Sequence, residues 1–150
     1  MTDDHTDLLR SYVADVWGKK DVDALDHYLT EGYRRHLTTR SEPLDREGQK
    51  RLVASFWHAF PDAELEIQDV LVEGDRLAFR SIMRGTHRGT FHHIPATGRN
   101  VEVYLLDFLR IEDGRFAEQW GGPNLLDLLQ QVGASVGSRP DRRPQRDNSG

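Results

Sequence analysis

The spacing of hydrophobic residues changes near Pro61 of the 150-residue chain, and this change limits the possible folds more than any other feature. Up to Pro61 the apolar residues recur every three or four positions, as in amphipathic helices. From Ala63 they alternate with polar residues, as in strands with one buried face. Helices followed by antiparallel strands predict an α+β fold, in which three N-terminal helices wrap a curved sheet into a barrel with an internal pocket.

Turn and capping residues predict where these elements begin and end. The first helix is expected over residues 5–17 and ends at Gly18. Asp21 is expected to cap a short second helix that ends at Gly32, and Asp45 to open the third. After Ala63, glycine-containing turns separate the strands, and a leucine-rich helix closes the domain.

The C-terminal residues have a different composition. Residues 134–150 are rich in proline, glycine, serine and charge, with almost nothing to bury. Such a composition predicts a disordered tail, so the folded domain is expected to span residues 1–133.

Composition also limits the classes of partner. The net charge of −5 argues against nucleic acid or an anionic membrane as the main partner. The chain has no cysteine for a disulfide or a thiolate metal site. No apolar run approaches the roughly 20 residues of a membrane span. The N-terminal segment is acidic and unlike a signal peptide, so a cytoplasmic protein is expected.

The sequence predicts no cofactor and no metal. A histidine metal site needs three converging ligands, and the adjacent His92 and His93 point in opposite directions in an extended segment. A glycine-rich phosphate loop is also absent from the sequence. We therefore expect any chemistry to rest on the side chains themselves.

The strand predicted over Val101–Ile111 carries the strongest candidate for chemistry. Alternation places Asp107 on an otherwise aliphatic inward face, whereas Tyr104 falls on the other face. An unpaired buried charge is costly, so this carboxyl must be paired, hydrogen-bonded or raised in pKa. Asp107 is predicted to act as a general acid or base. A structural acid paired with an arginine or backbone amides is the alternative.

Alternation on the last predicted strand, Arg115–Trp120, suggests a second acid. Phe116, Glu118 and Trp120 share one face by parity, and Gln119 lies on the other. This spacing predicts Glu118 as a second inward carboxylate.

A set of aromatic and apolar side chains, with one histidine, is predicted to line the pocket and contact a ligand. Such a lining suits a flat, apolar, oxygenated molecule, and ordinary core packing is the alternative. The set consists of Trp17, Tyr33, Trp57, Phe60, Phe79, Met83, His87, Leu105 and Trp120.

Several short motifs follow one another in a characteristic order. They are Phe60–Asp62, Val72–Arg76, Gly85–Gly89, Pro95–Arg99, Arg110–Arg115, Glu118–Trp120 and Leu128–Gly133. Through them, residues 5–133 resemble the SnoaL-like polyketide cyclase family. The resemblance implies the cone-shaped α+β barrel also found in ketosteroid isomerase and scytalone dehydratase. It further implies a homodimer and a small polyketide-like substrate.

The resemblance also implies roles for individual positions. The family's cyclases use a histidine on the penultimate strand and an aspartate after the tryptophan of the last strand; here these positions hold Asp107 and Gly121. Because the family residue after that tryptophan reaches the cavity, a bulge near Trp120 is needed to reconcile the family with the parity of the strand. Relatives often carry a cavity-facing histidine at the position of His36, and His87 more often holds a turn.

Three functions follow as hypotheses. The leading one is a cofactor-independent cyclase of bacterial natural-product biosynthesis, with Asp107 as the main proton-transfer group and His36 and Glu118 assisting. The second is an epoxide-opening cyclase or epoxide hydrolase, which does not need the acid missing at Gly121. The third is a non-catalytic small-molecule binding protein with the same fold.

Overall fold

The computed structural model describes residues 2–134, which form helices followed by one sheet. A π-helical turn, Val13–Gly18, continues the first helix. The α-helices of the described chain are α1 (Thr2–Tyr12), α2 (Leu25–Tyr28), α3 (Arg46–Ala59) and α4 (Leu125–Gln131). The strands are β1 (Leu29–His36), β2 (Glu64–Glu73), β3 (Arg76–Thr86), β4 (Asn100–Glu112) and β5 (Arg115–Pro123).

The five strands form one sheet in the order β1-β5-β4-β3-β2. Strand β1 runs parallel to β5, and the other neighbours are antiparallel. The helices pack on one face of the sheet, called the inner face below, where Val16 of the π-helical turn and Val53 of α3 join the same core as Val103 of β4. The opposite face is called the outer face. The predicted α+β class is confirmed.

Local signals fixed several boundaries as predicted. The Asp45 side chain accepts a hydrogen bond from the Gly48 N–H at 2.8 Å and so caps α3. Along β4, the inward residues from Val101 to Ile111 are buried in strict alternation. The Gly74 turn has a φ of 58°, a conformation that glycine adopts at little cost.

The second helix is shorter than predicted, because Gly32 does not end a helix. Leu29 is already extended, and Gly32 lies within β1. Pairing with β5 supplies the hydrogen bonds of this segment, so tertiary structure outweighs the helical spacing of Leu25 and Tyr28.

A β-bulge in β5 reverses the parity that the sequence suggests. The register with β4 shifts between Arg110 and Ile111, so Phe116 and Ala117 are both buried. One extra residue moves every later side chain to the opposite face. Gln119 therefore points inward and Glu118 outward.

Most of the predicted tail, 134–150, lies outside the described residues. Among residues 2–134, no helix is both long and apolar enough to cross a membrane.

Candidate active site

The site is built around Asp107 on the inner face of β4. Its side chain is 2% exposed, and its neighbours along the inner face are Leu105 and Leu109. Across the sheet it faces Phe79 of β3 and Gly121 of β5. The prediction of a lone acid on an apolar inward face is confirmed.

A chain of hydrogen bonds holds one oxygen of this carboxyl. Gln119 Nε2 donates to Asp107 Oδ1 at 2.8 Å. The Tyr33 hydroxyl donates to Gln119 Oε1 at 2.7 Å. Because the amide can donate only through its nitrogen, the tyrosine fixes which way Gln119 points.

Arg35 is the cation nearest to Asp107 among the ion pairs of the described residues. Its Nη2 lies 3.7 Å from Asp107 Oδ1 and donates instead to the Gly121 carbonyl at 3.0 Å. The distance to the carboxyl exceeds that of a hydrogen bond, so the ion pair is loose. Arg35 is itself only 6% exposed.

Burial raises the pKa of Asp107 above its ordinary value, because the charged form loses its hydration. The positive charge of Arg35 and the hydrogen bond from Gln119 oppose this effect without cancelling it. Burial likewise raises the pKa of the Tyr33 phenol, which keeps it a hydrogen-bond donor to Gln119.

The raised pKa of Asp107 predicts a pH-dependent difference between the protein and its Asp107→Asn variant. The folded protein holds the proton more tightly than the unfolded chain, where the pKa is about 3.9. This stabilisation is fully present below about pH 4 and is lost as pH rises through the raised pKa. We expect the free energy of unfolding to fall with pH in the wild type relative to the variant. Urea unfolding at several pH values checks this, and parallel curves would contradict it.

Replacing Gln119 by leucine is expected to lower the free energy of unfolding by about 1–3 kcal/mol. The change leaves the buried Tyr33 hydroxyl and the Asp107 carboxyl without their partner. Urea unfolding measures the loss. Gln68→Leu, at an exposed position on β2, is the control and should stay within about 0.5 kcal/mol. Equal effects in both variants would show that the hydrogen-bond chain adds no stability.

The structure does not bring His36 and Glu118 to Asp107. Glu118 pairs with Arg110 and Arg34 in the sheet register, and His36 pairs with Trp120, so all of them lie on the outer face. His36 Nε2 lies 2.7 Å from Glu118 Oε2. The hydrogen bond with His36 is the largest effect and lowers the pKa of Glu118, and Arg110 lowers it further against the opposing effect of desolvation. The prediction of Glu118 as an inward acid was wrong because of the bulge at Ala117.

Eight of the nine predicted ligand-contact residues lie in or against the core between helices and sheet. Trp120 is the exception: it lies on the outer face, stacked on His36 with ring centroids 5.1 Å apart. The others are Trp17, Tyr33, Trp57, Phe60, Phe79, Met83, His87 and Leu105. Their contact with a ligand stays a prediction, since packing alone accounts for their burial.

His87 holds the loop between β3 and β4. The Thr97 N–H donates to its Nδ1 at 3.3 Å, and backbone bonds join it to Gly98 and Arg99. His92 and His93 adopt positive φ values in an exposed turn nearby. Within residues 2–134, no group of three His, Asp or Glu side chains could hold a metal ion.

Two surface depressions lie in the described part of the chain. One, of about 420 Å³, is lined mostly by outer-face residues such as Leu71, Leu106, Phe108 and Trp120, and its lining also includes Phe79, Asp107 and Gly121. The other, of about 410 Å³, lies beside the N-terminus of α3 between Arg34, Arg40 and Arg51. Neither is the predicted hollow between helices and sheet.

Several buried polar atoms in the interior have no hydrogen-bond partner. Most buried polar groups in proteins have a hydrogen-bond partner, so unpaired ones require an explanation. Among the described residues, the unpaired atoms are Arg35 Nε, Gln49 Oε1, Trp57 Nε1, Ser81 Oγ and His87 Nε2. All belong to buried residues.

Gly121 has a backbone conformation that excludes other residues. Its φ is 93°, and an added Cβ would lie 2.1 Å from the Leu106 carbonyl oxygen. The family's aspartate therefore cannot be introduced here without moving the backbone.

The fold and the site together define a class: α+β proteins in which helices cover one face of a curved sheet and bury an ionisable acid against it. A family model described as SnoaL-like polyketide cyclase matches residues 7–132. The chain belongs to this family.

Solved structures of similar proteins agree with this assignment. TsrD from Streptomyces laurentii is 31% identical with a TM-score of 0.78, covering 89% of this chain and 98% of its own. AclR from Streptomyces galilaeus, provisionally named a hydroxylase, is 27% identical with a TM-score of 0.79, covering 89% and 97%. IdmH from Streptomyces antibioticus, provisionally named a polyketide cyclase, is 29% identical with a TM-score of 0.75, covering 86% and 98%. A comparison with curated protein sequences found no match.

Two residues of the site, Gln119 and Arg35, were not predicted from the sequence. Gln119 was assigned to the wrong face because a bulge leaves no periodic signal. Arg35 lies in the segment Tyr33–His36, which the sequence predicts only as a short loop or strand. Alternation from Tyr33 would have placed Arg35 on the same face, had β1 been recognised as a strand.

Proposed function

We propose that this protein is a cofactor-independent enzyme that closes a ring in a small, mostly apolar, oxygenated intermediate of polyketide type. The observation that carries the proposal is the buried Asp107 carboxyl, whose proton affinity is raised by the apolar interior. A carboxyl with a pKa closer to neutrality can both remove and return a proton during one reaction.

The proton balance of ring closure fits a single carboxyl. The Asp107 carboxylate removes a proton from a carbon beside a substrate carbonyl, which leaves an enolate. The enolate carbon attacks a second carbonyl of the same molecule and forms the new carbon–carbon bond. The alkoxide that results takes the proton back from Asp107, so no cofactor is consumed.

The unpaired polar atoms support an oxygenated ligand. Arg35, Trp57 and His87 each have a buried nitrogen without a partner. His87 Nδ1 lies 2.9 Å from the Thr97 hydroxyl and 3.3 Å from the Thr97 N, and in the tautomer in which Nδ1 accepts from both, Nε2 carries the hydrogen and can donate. Such donors suit carbonyl and hydroxyl oxygens on an otherwise apolar molecule.

Acid-promoted epoxide opening is the second candidate. Burial raises the pKa of Asp107, so its protonated form persists to higher pH than in an ordinary aspartate, and a protonated carboxyl can donate to an oxirane oxygen. This reaction has no need of a carboxylate at position 121, where the backbone excludes one. An internal hydroxyl would then give a cyclic ether, and water a diol.

Isotope labelling separates these reactions. For carbon–carbon ring closure, we expect a product isomeric with the substrate and no oxygen from labelled water in the new ring. An isomeric product that contains a new cyclic ether would show epoxide cyclisation, and a labelled diol would show hydrolysis. Ligand binding without turnover would support the non-catalytic hypothesis instead.

A homodimer through the outer face is the proposed assembly. Leu71 is 73% exposed and Leu106 66% exposed, and Tyr104 and Phe108 are exposed beside them. Antiparallel sheets that cover a core with one face normally present polar residues on the other, so this exposed apolar cluster calls for a covering partner. Charges of both signs lie nearby as Arg80–Asp69 and Arg84–Glu66 pairs, which suits a surface that meets its own copy.

Leu106→Glu is expected to convert this dimer to a monomer. Burying the new charge at an interface of about 800 Å² per subunit would be costly. Light scattering after size-exclusion chromatography gives the mass of each form. Leu52→Glu, at an exposed position on α3, is the matched control and should stay dimeric. A monomeric wild type would contradict the proposed assembly.

A further inference from the structure

Arg35 fills space on the inner side of β5 that a side chain at position 122 would otherwise occupy. Its Nη2 donates to the Gly121 carbonyl, and a Cβ added at Gly122 would lie 2.8 Å from the same nitrogen. The absence of a side chain at Gly122 therefore leaves room for the guanidinium beside Gly121, the position where the family's aspartate stands.

The surroundings of Arg35 differ from those of arginines elsewhere in the described chain. Arg80, Arg84 and Arg110 are partly or fully exposed and form close ion pairs on the outer face. Arg35 is 6% exposed, and its approach to Asp107 is loose at 3.7 Å. Gln119, rather than Arg35, forms the direct hydrogen bond to the carboxyl.

One hydrogen-bond donor of Arg35, its Nε–H, is not used within the protein. Its Nε is buried and has no partner. An arginine has five N–H donors in a fixed plane and no acceptor, so the Nε–H can be satisfied only by an incoming oxygen or another acceptor. A charged donor in a buried position binds an anionic oxygen more strongly than a neutral one.

We infer that Arg35 binds the substrate oxygen on which negative charge develops, through its free Nε–H. This inference rests on the proposed function. When Asp107 takes a proton from substrate carbon, the negative charge moves from the carboxylate to the enolate oxygen. Arg35 then lies beside the negative charge both before the proton transfer, on Asp107, and after it, on the enolate oxygen. The net charge of the site does not change. The substrate class is thus a flat apolar carbonyl compound that can form an enolate.

The charge balance has a consequence that can be measured. If an anion takes the place of the enolate, Asp107 must hold a proton, because two negative charges would otherwise share one guanidinium. Binding of a phenolate should therefore take up about one proton per site. Asp107→Asn, which is neutral at all pH values, should bind the same anion at least as tightly and take up none.

The test compares the binding of 4-nitrophenolate with that of 4-nitroaniline, a neutral molecule of similar shape. Calorimetry at mildly alkaline pH measures both affinities, and repeating it in buffers of different ionisation enthalpy gives the number of protons taken up on binding. The wild type is expected to prefer the phenolate by at least about tenfold, as a charge-assisted hydrogen bond allows. Arg35→Gln should lose this preference. Arg34→Gln, at the preceding position on the opposite face of β1, is the matched control and should keep it.

The outcomes separate this inference from the proposed function. If Arg35→Gln and Arg35→Lys both keep the preference for the anion, or if the wild type has none, the role of Arg35 is overturned even where Asp107→Asn abolishes turnover. Loss of preference in Arg35→Gln together with full activity of Asp107→Asn would keep the anion site and overturn the proposed chemistry. Arg35→Lys keeps the charge and removes the Nε–H, so it tests the same role in case Arg35→Gln does not fold.

Discussion

Replacing Asp107 with asparagine is expected to lower turnover by about 10²–10⁴-fold, the range for loss of a positioned proton-transfer group. Asparagine has nearly the same shape and can still accept the hydrogen bond from Gln119 Nε2, so the fold should be retained. The loss should appear in the rate of the chemical step, because the amide can neither remove nor return a proton. Turnover of the cyclisation substrate and a thermal melt of the same sample measure both quantities.

Asp69→Asn is the matched control for this prediction. Asp69 is an exposed acid on the outer face, paired with Arg80 at 2.6 Å. Its removal should change turnover by less than about twofold, since surface ion pairs contribute little. If both variants keep wild-type activity with the fold intact, Asp107 takes no part in the reaction.

Gly121→Ala is expected to lower the free energy of unfolding by roughly 2–6 kcal/mol. A side chain at a φ of 93° costs about 1–3 kcal/mol. The contact of the new Cβ with the Leu106 carbonyl oxygen, at 2.1 Å, forces a backbone shift that adds about 1–3 kcal/mol. Because Gly121 lies opposite Asp107, that shift should also disturb the site. Urea unfolding measures the first effect and turnover the second.

Gly98→Ala separates the two costs. Gly98 has a φ of 71°, and an added Cβ would meet nothing within 4 Å. It should therefore show the backbone cost alone. Equal losses in the two variants would mean that the crowding against Leu106 is relieved without cost.

Much of the fold could be predicted because it depends on local signals. The alternation of β4 placed Asp107 inward, and its pairing with β3 extends that alternation without a break. The helix cap at Asp45 was predicted from one residue type in the right place, and the structure confirms it. These features depend on neighbours in the sequence, where periodicity is informative.

The arrangement around Asp107 could not be predicted, because it depends on contacts between distant segments. Gln119 and Arg35 lie 12 and 72 positions from Asp107 in the sequence, yet both are within 4 Å of its carboxyl. The bulge at Ala117 decides which face Gln119 occupies, and the parallel pairing of β1 with β5 brings Arg35 inward. The alternation of residues along one strand predicts neither the bulge nor the strand pairing.

The central claim is that the apolar interior raises the proton affinity of Asp107. Its most direct test is the titration of the Asp107 carboxyl carbon by NMR in protein labelled with ¹³C at aspartate, with Asp107→Asn to assign the signal. We expect a midpoint well above the value of about 3.9 for a free aspartate. A midpoint at or below that value would show that Arg35 and Gln119 outweigh burial, and would contradict the account.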